Sequence, residues 1–365
     1  MIQRIMAIAL LFAANLPGIA FGADRNDANM QLAWHAREHP MSFKEHEHHE
    51  TVKAAVGIQG WFSQADAKWQ ISFPYVTGFA NPGIPPETTG RIESELEFEN
   101  IDSPMTIVTG GGKVLGHFAL EISLGYGSIR DGDGKDTDRF LPNSGGGLEF
   151  SESKNDPTGN VRSGELNIYY NNHRYCGGHD GPWGAVLGYA YYADRLRMRN
   201  GVQTVSVAFD GTGFPQPGPF PSSQVLDTTY AFLWQAVKLG VLYQAELTEG
   251  LSLSGVLSFY PFVEYRGEGF WNLRAGPPEN PDAFRRQSPN FIHTSHTGYG
   301  HEASLGLTYA VAENIDLSAG YRYLHLYSAG GTDTVFFANG STSDSRLDWA
   351  TVVRRGAYAE VLFKF

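Results

Sequence analysis

Stretch after stretch of this chain alternates apolar and polar side chains with a period of two, often for ten residues or more. Val237, Leu239, Val241, Tyr243, Ala245 and Leu247 form one face of such a run, and Lys238, Gly240, Leu242, Gln244 and Glu246 the other. The chain ends the same way, with Ala357, Ala359, Val361, Phe363 and Phe365 against Tyr358, Glu360 and Lys364. Period two belongs to a β-strand with one apolar and one polar face. Soluble strands average about 5–6 residues, whereas a tilted strand crossing a bilayer needs about 9–11. In hydrocarbon every backbone group must be satisfied internally, so a spanning sheet has to close on itself. The pattern therefore predicts an all-β fold, a transmembrane antiparallel up-and-down β-barrel.

Ten such segments are expected, over Val52–Asp66, Arg91–Thr109, Val114–Arg130, Val161–Tyr175, Trp183–Asn200, Thr228–Leu247, Leu251–Gly267, Gly298–Ala312, Ile315–Tyr327 and Trp349–Phe365. Short connections (Gly110–Lys113, Cys176–Pro182, Thr248–Gly250, Glu313-Asn314) alternate with long ones (Pro74–Gly90, Asp131–Asn160, Gly201–Asp227, Glu268–Thr297, Ser328–Asp348). Short turns on one side and long loops on the other are the pattern of bacterial outer-membrane barrels, with an even strand number and both termini periplasmic. The expected environment is outer-membrane lipid and lipopolysaccharide. The terminal Phe365 after alternating apolar residues resembles a signal read by the barrel-assembly machinery. Mean hydropathy is only −0.28, because such a barrel confines its apolarity to every second residue.

Composition narrows the partners. Thirty-nine Asp and Glu against 27 Lys and Arg give a net charge of −12, which argues against nucleic acid, whose phosphates need a basic face. One cysteine excludes a Cys₄ zinc site. Met1–Gly22 has the order of a secretory signal peptide: Arg4, an apolar Ile5–Ala14 core, Pro17 and a small-residue exit at Ala20-Phe21-Gly22. A polar extension, 23–51, precedes the barrel at 52–365. It carries His35, His39, His46, His48 and His49 among Glu38, Glu45, Glu47 and Glu50, donors suited to Zn²⁺ or Cu²⁺. A solvated periplasmic segment is the competing reading. Asp131, Asp133, Asp136 and Asp138 fall within eight residues, which reads as a Ca²⁺ site or an acidic turn, but the spacing is not that of an EF-hand. Alternation places Glu93, Glu95, Glu97, Glu121, Glu165, Glu246, Glu264, Glu302, Arg322, Glu360 and Lys364 on the inner wall. A ten-stranded lumen is narrow, so a wet, polar interior is expected.

The segment order resembles the omptins, ten-stranded outer-membrane aspartyl proteases. Ser94-Glu-Leu-Glu-Phe98 resembles their second strand, and Asp136-Thr-Asp138-Arg-Phe140 their Asp-x-Asp-aromatic segment at the top of the third. Phe262-Val-Glu264 resembles the approach to their fourth extracellular loop. The resemblance implies Asp136 and Asp138 as one catalytic pair, facing an Asp-His pair that activates water. Beyond Glu264, however, stands Gly267-Glu-Gly-Phe-Trp271 instead of Asp-x-His. His293 and His296 lie farther along, and Asp282 is distant from both. The expectation is an omptin-like barrel without proteolytic activity, acting through its extracellular loops or a narrow lumen. The alternatives are an endopeptidase with a displaced histidine, or a small-solute or metal-related channel.

Overall fold

The computed structural model describes residues 54–79, 82–176, 181–209, 217–220, 225–280 and 283–365. The expected signal peptide, the 23–51 extension with its five histidines, and Asp282 lie outside the described residues. Strands β1 (Ala54–Val76), β2 (Thr89–Leu115), β3 (Phe118–Ile129), β4 (Asp131–Pro142), β5 (Leu148–Tyr170), β6 (Trp183–Ser206), β7 (Gly218–Pro219), β8 (Thr228–Thr248), β9 (Leu251–Phe270), β10 (Phe291–Ser295), β11 (Gly298–Ala312), β12 (Ile315–Phe336) and β13 (Thr342–Lys364) follow in order. Strands β3 and β4 both lie between β2 and β5 and form one stave, and β10 and β11 both lie between β9 and β12 and form another. All pairings in the ring are antiparallel, and β13 pairs with β1 to close it. The result is a ten-stave barrel, with the two-residue β7 attached outside the ring to β6.

The outward positions nearest the termini form an apolar belt. Val56, Ile58 and Phe62 on β1, Leu166 and Ile168 on β5, Leu239 and Val241 on β8, and Leu305 and Leu307 on β11 are all well exposed. Water does not tolerate so continuous an apolar surface, but lipid requires it. Two-residue turns at Gly116-His117 and Glu249-Gly250 close this end. Both glycines have positive φ, 51° and 74°, as tight hairpin turns demand. The first turn lies beyond the expected Gly110–Lys113, which β2 absorbs.

At the other end the staves continue far past the belt. β1 has 23 residues and β2 has 27, against the ~9–11 that span a bilayer. Much of the expected long loops is therefore strand: Asp131–Asn160 is a hairpin of β4 and β5, and Ser328–Asp348 one of β12 and β13.

Long staves do not keep one phase, and this corrects part of the inner-wall assignment. On β2, Leu96 and Phe98 point inward, then Ile101 and Ser103 do. The register with β1 and β4 shifts here, and Asn100 has φ of 54°. A bulge inserts one residue and turns the following side chains to the opposite face. Glu95 and Glu97 consequently sit on the outer face, where Lys68 and Lys135 pair with Glu97 (2.7 and 2.6 Å) and Arg139 with Glu95 (3.1 Å). Glu93 shares that face and pairs with Arg91 (2.6 Å). On β9, the shift against β8 falls around Pro261, a residue without the ladder N–H. Tyr260 points inward before it, and Val263 and Tyr265 after it, leaving Glu264 exposed. Glu121, Glu165, Glu302 and Glu360 are inward and buried as expected.

Candidate functional site

The barrel interior is filled in layers, each tying opposite walls together. Nearest the termini lies a polar cavity of about 210 Å³. The helical turn His173–Cys176, between β5 and β6, reaches its edge. Arg174 grips Glu360 there with two hydrogen bonds (2.7 and 3.2 Å), and Tyr175 donates to Glu121 (2.7 Å). Above it stands a charge-balanced quartet. Lys238 pairs with Glu165 (3.0 Å) and Glu302 (2.9 Å), and Arg322 pairs with the same two (2.5 and 2.7 Å). Tyr192 and Tyr260 donate to Glu165 and Glu302. Buried charge is tolerable only when paired and hydrogen-bonded like this. Next, Arg354 on β13 reaches Asp194 on β6, five staves away, and also donates to Ser63 and Ser103. Arg354 and Asp194 are each 2% exposed.

Beyond this tie the lumen becomes apolar, against the expectation of a polar interior. Trp69, Leu96, Phe98, Tyr230, Phe232, Trp234, Tyr265 and Phe291 join one buried cluster contributed by strands all round the ring. Trp234 and Tyr265 rings are 4.5 Å apart, and those of Tyr230 and Phe232 4.7 Å, distances at which aromatic pairs attract.

The sequence-predicted aspartates stand on one wall of this region. Alternation along β4 turns Asp136 and Asp138 inward, and Asp131 and Asp133 outward and exposed. The four carboxylates of the expected Ca²⁺ segment are thereby divided between two faces. Among the described residues no group of three or more His, Cys, Asp or Glu surrounds a common metal position. Asp136 is 8% exposed, and its Oδ1 is buried without a hydrogen-bond partner. Burial, then the neighbouring Asp138, raises the Asp136 carboxyl well above the ordinary carboxylate range, while Arg274 in the β9–β10 connection pulls the other way. Burial also raises Asp138, opposed by Arg274 and by a hydrogen bond from Ser94.

His293, on β10, stands five staves away on the opposite wall. The next stave supplies what the local sequence lacks. Asp333 of β12 is its register partner, with Oδ1 3.2 Å from Nε2. The two atoms are not aligned as a hydrogen bond, and neither has another. His293 Nδ1 lies 2.7 Å from the Tyr230 hydroxyl, itself 2.6 Å from that of Tyr265, and Ser345 donates to Asp333. No sequence spacing links His293 to Asp333, 40 positions on. His296, by contrast, is outward and largely exposed, 3.4 Å from Glu264. The fold thus sets an Asp pair opposite an Asp-His pair, but fills the space beside the histidine. His293 is 0% exposed, and the Trp69 ring sits 4.6 Å from it. Through the register Trp69–Leu96–Asp136, that tryptophan belongs to the same cross-strand row as the aspartate.

The buried Asp136 makes a signed prediction. Below about pH 4, the unfolded carboxyl is protonated, as is the folded one, and the group costs nothing. As pH rises, the unfolded chain releases the proton first. Stability falls until the raised folded pKa is passed, and the loss then stays constant. Asp136→Asn removes this cost. The thermal midpoint of the variant minus that of the parent should therefore grow from pH 4 to pH 8. A difference independent of pH would contradict the burial of this carboxyl.

Comparison with known proteins agrees with the architecture. The outer-membrane protease OmpT of Escherichia coli superimposes with a TM-score of 0.60 at 13% identity, covering 86% of this chain and 97% of that one. The translocator domain of the autotransporter NalP of Neisseria meningitidis gives 0.32 at 12% identity, covering 87% and 90%. OprG of Pseudomonas aeruginosa gives 0.26 at 10%, covering 84% and 95%. At these identities the likeness to OmpT speaks for the fold. No curated protein matches the sequence. The family model described as Protochlamydia outer membrane protein (Pom) matches residues 80–352, most of the barrel. This chain is an omptin-like outer-membrane β-barrel, and it belongs to the Pom family.

Proposed function

We propose that this protein is a non-proteolytic, non-conducting barrel of the bacterial outer membrane that acts through its long-stave rim. That rim faces the outside of the cell, and both termini lie on the periplasmic side, where Phe365 is available to the assembly machinery. The packed aromatic layer carries the reading. A hydrolytic water between Asp136, Asp138 and His293 needs an open cleft, and a base must come within hydrogen-bond reach of its target or one water from it. Here Trp69, Tyr230 and Phe291 surround the imidazole instead. A solute path needs a continuous wet lumen, but the ion-pair layers and the aromatic layer lie in series across it. What is left for recognition is the projecting outer surface, where ion pairs such as Lys68–Glu97–Lys135 alternate along β1, β2 and β4.

The test is a joint assay of the refolded full chain. Peptides with a basic cleavage site should stay intact, and planar bilayers should show no conductance steps. Cleavage abolished by Asp138→Ala would establish the endopeptidase reading, with His293 as its base. Steady conductance would establish the channel.

A further inference from the structure

Two histidines that neither the layered interior nor the Asp-His pair uses stand directly opposite one another on the outer face. His301 of β11 and His325 of β12 are register partners. Their backbone neighbours Glu302, Leu324 and Leu326 are buried in the lumen, so both imidazoles point outward. On the other side His301 is in register with Phe259 of β9, which is 51% exposed. Below them on β11 come Leu305 and Leu307 of the apolar belt. The pair therefore lies on the outward face between the apolar belt and the Tyr299–Tyr327 pair, one outward row above it. Directly opposed residues on antiparallel strands hold their Cβ atoms about 4.5–5.5 Å apart, close enough for two imidazoles to share a ligand.

Three observations converge. The ring centroids are 5.0 Å apart and the rings are 72° from coplanar. A tetrahedral ion about 2.0–2.1 Å from one nitrogen of each ring would hold two imidazole centroids about 5.2 Å apart. The observed centroid spacing is close to that value. The His325 ring is also held in place. Its Nε2 lies 3.1 Å from Thr351 Oγ1, which itself reaches the Leu326 carbonyl (3.1 Å). Nδ1 is then the nitrogen left to face a ligand. A ligating histidine whose second nitrogen is hydrogen-bonded to a neighbouring group is the usual outer-shell arrangement of a metal site. Finally, Tyr323 stacks on His301 (5.6 Å, 24°) and limits the freedom of that ring.

We propose that His301 and His325 form a two-histidine site for a divalent transition ion, Zn²⁺ or Cu²⁺, on the outer surface of the barrel. Water fills the remaining positions. Imidazole nitrogen suits these ions and not Ca²⁺ or Mg²⁺. The ion would bridge β11 and β12 and staple the staves where they leave the belt.

The experiment must separate this pair from the histidines at 35–49. The full-length refolded protein is treated with diethyl pyrocarbonate, which modifies accessible neutral imidazoles, with and without Zn²⁺, and each histidine is read by peptide mass mapping. At zinc about ten times the dissociation constant, only about a tenth of sites are free, so modification of His301 and His325 should slow about tenfold. The exposed His117 at the other rim serves as the control and should not change. In His325→Phe, checked for folding by its heat-modifiable gel mobility, His301 should lose its protection at the same zinc concentration. Unchanged reactivity of His301 up to millimolar zinc, or protection that survives His325→Phe, would overturn the site.

Discussion

Arg354→Ala is expected to cost about 3–5 kcal/mol, the typical penalty for leaving a buried charge without its partner. Arg354 and Asp194 meet across the full width of the barrel, and neither has appreciable access to water. Removing the guanidinium strands the Asp194 carboxylate in a space lined by Ser63 and Ser103. The diagnostic comparison is the double variant Arg354→Met with Asp194→Leu. Replacing a buried ion pair by apolar groups of similar volume is often neutral or stabilising. Ser63 keeps its bond to the Ser103 carbonyl (2.7 Å) in either case. Urea titration of the barrel in lipid vesicles, followed by tryptophan fluorescence, measures both. If the single and double variants lose equal stability, the pair does not act as a buried tie.

Trp69→Ala is expected to cost a similar amount, about 3–5 kcal/mol, through lost transfer energy and the cavity left behind. Trp69 is 2% exposed and touches Tyr230, Phe291 and His293. Its removal also opens the space between the two walls that carry Asp136 and His293. Water should enter, and His293, inert in the parent, should become reactive toward diethyl pyrocarbonate. Bilayer conductance should remain absent, because the Glu165–Lys238–Glu302–Arg322 quartet seals the lumen below. A loss under about 1 kcal/mol would mean that the upper lumen is not packed around this ring.

The barrel was legible because its signal is local. Alternation over Val237–Leu247 needs no knowledge of any other segment, and the ten expected segments each became one stave. Where alternation failed, a local backbone event was responsible. Pro261 and Asn100 each shift the phase, so Glu264 and the Glu93–Glu97 carboxylates face outward. The staves also run longer than the membrane pattern, because above the belt both faces carry mixed side chains and the contrast that marks a strand in lipid fades.

The site was legible only by halves. Asp136 and Asp138 share one strand face, which spacing reveals. His293 carries no local mark, and Asp333, Trp69 and Tyr230 join it from three other strands. The same holds for Arg354 and Asp194, 160 positions apart.

By itself, then, the sequence determined a closed antiparallel barrel, its belt and its number of staves. Period-two runs of ten residues or more, with backbone that must be satisfied in lipid, point to a closed sheet, and the count of such runs gives the staves. Only the tertiary structure decided what fills that barrel. Ring closure and the bulges choose which inward side chains meet across the lumen. Those meetings convert scattered charges into paired layers and place a tryptophan beside the histidine, where the omptin resemblance implied an activated water.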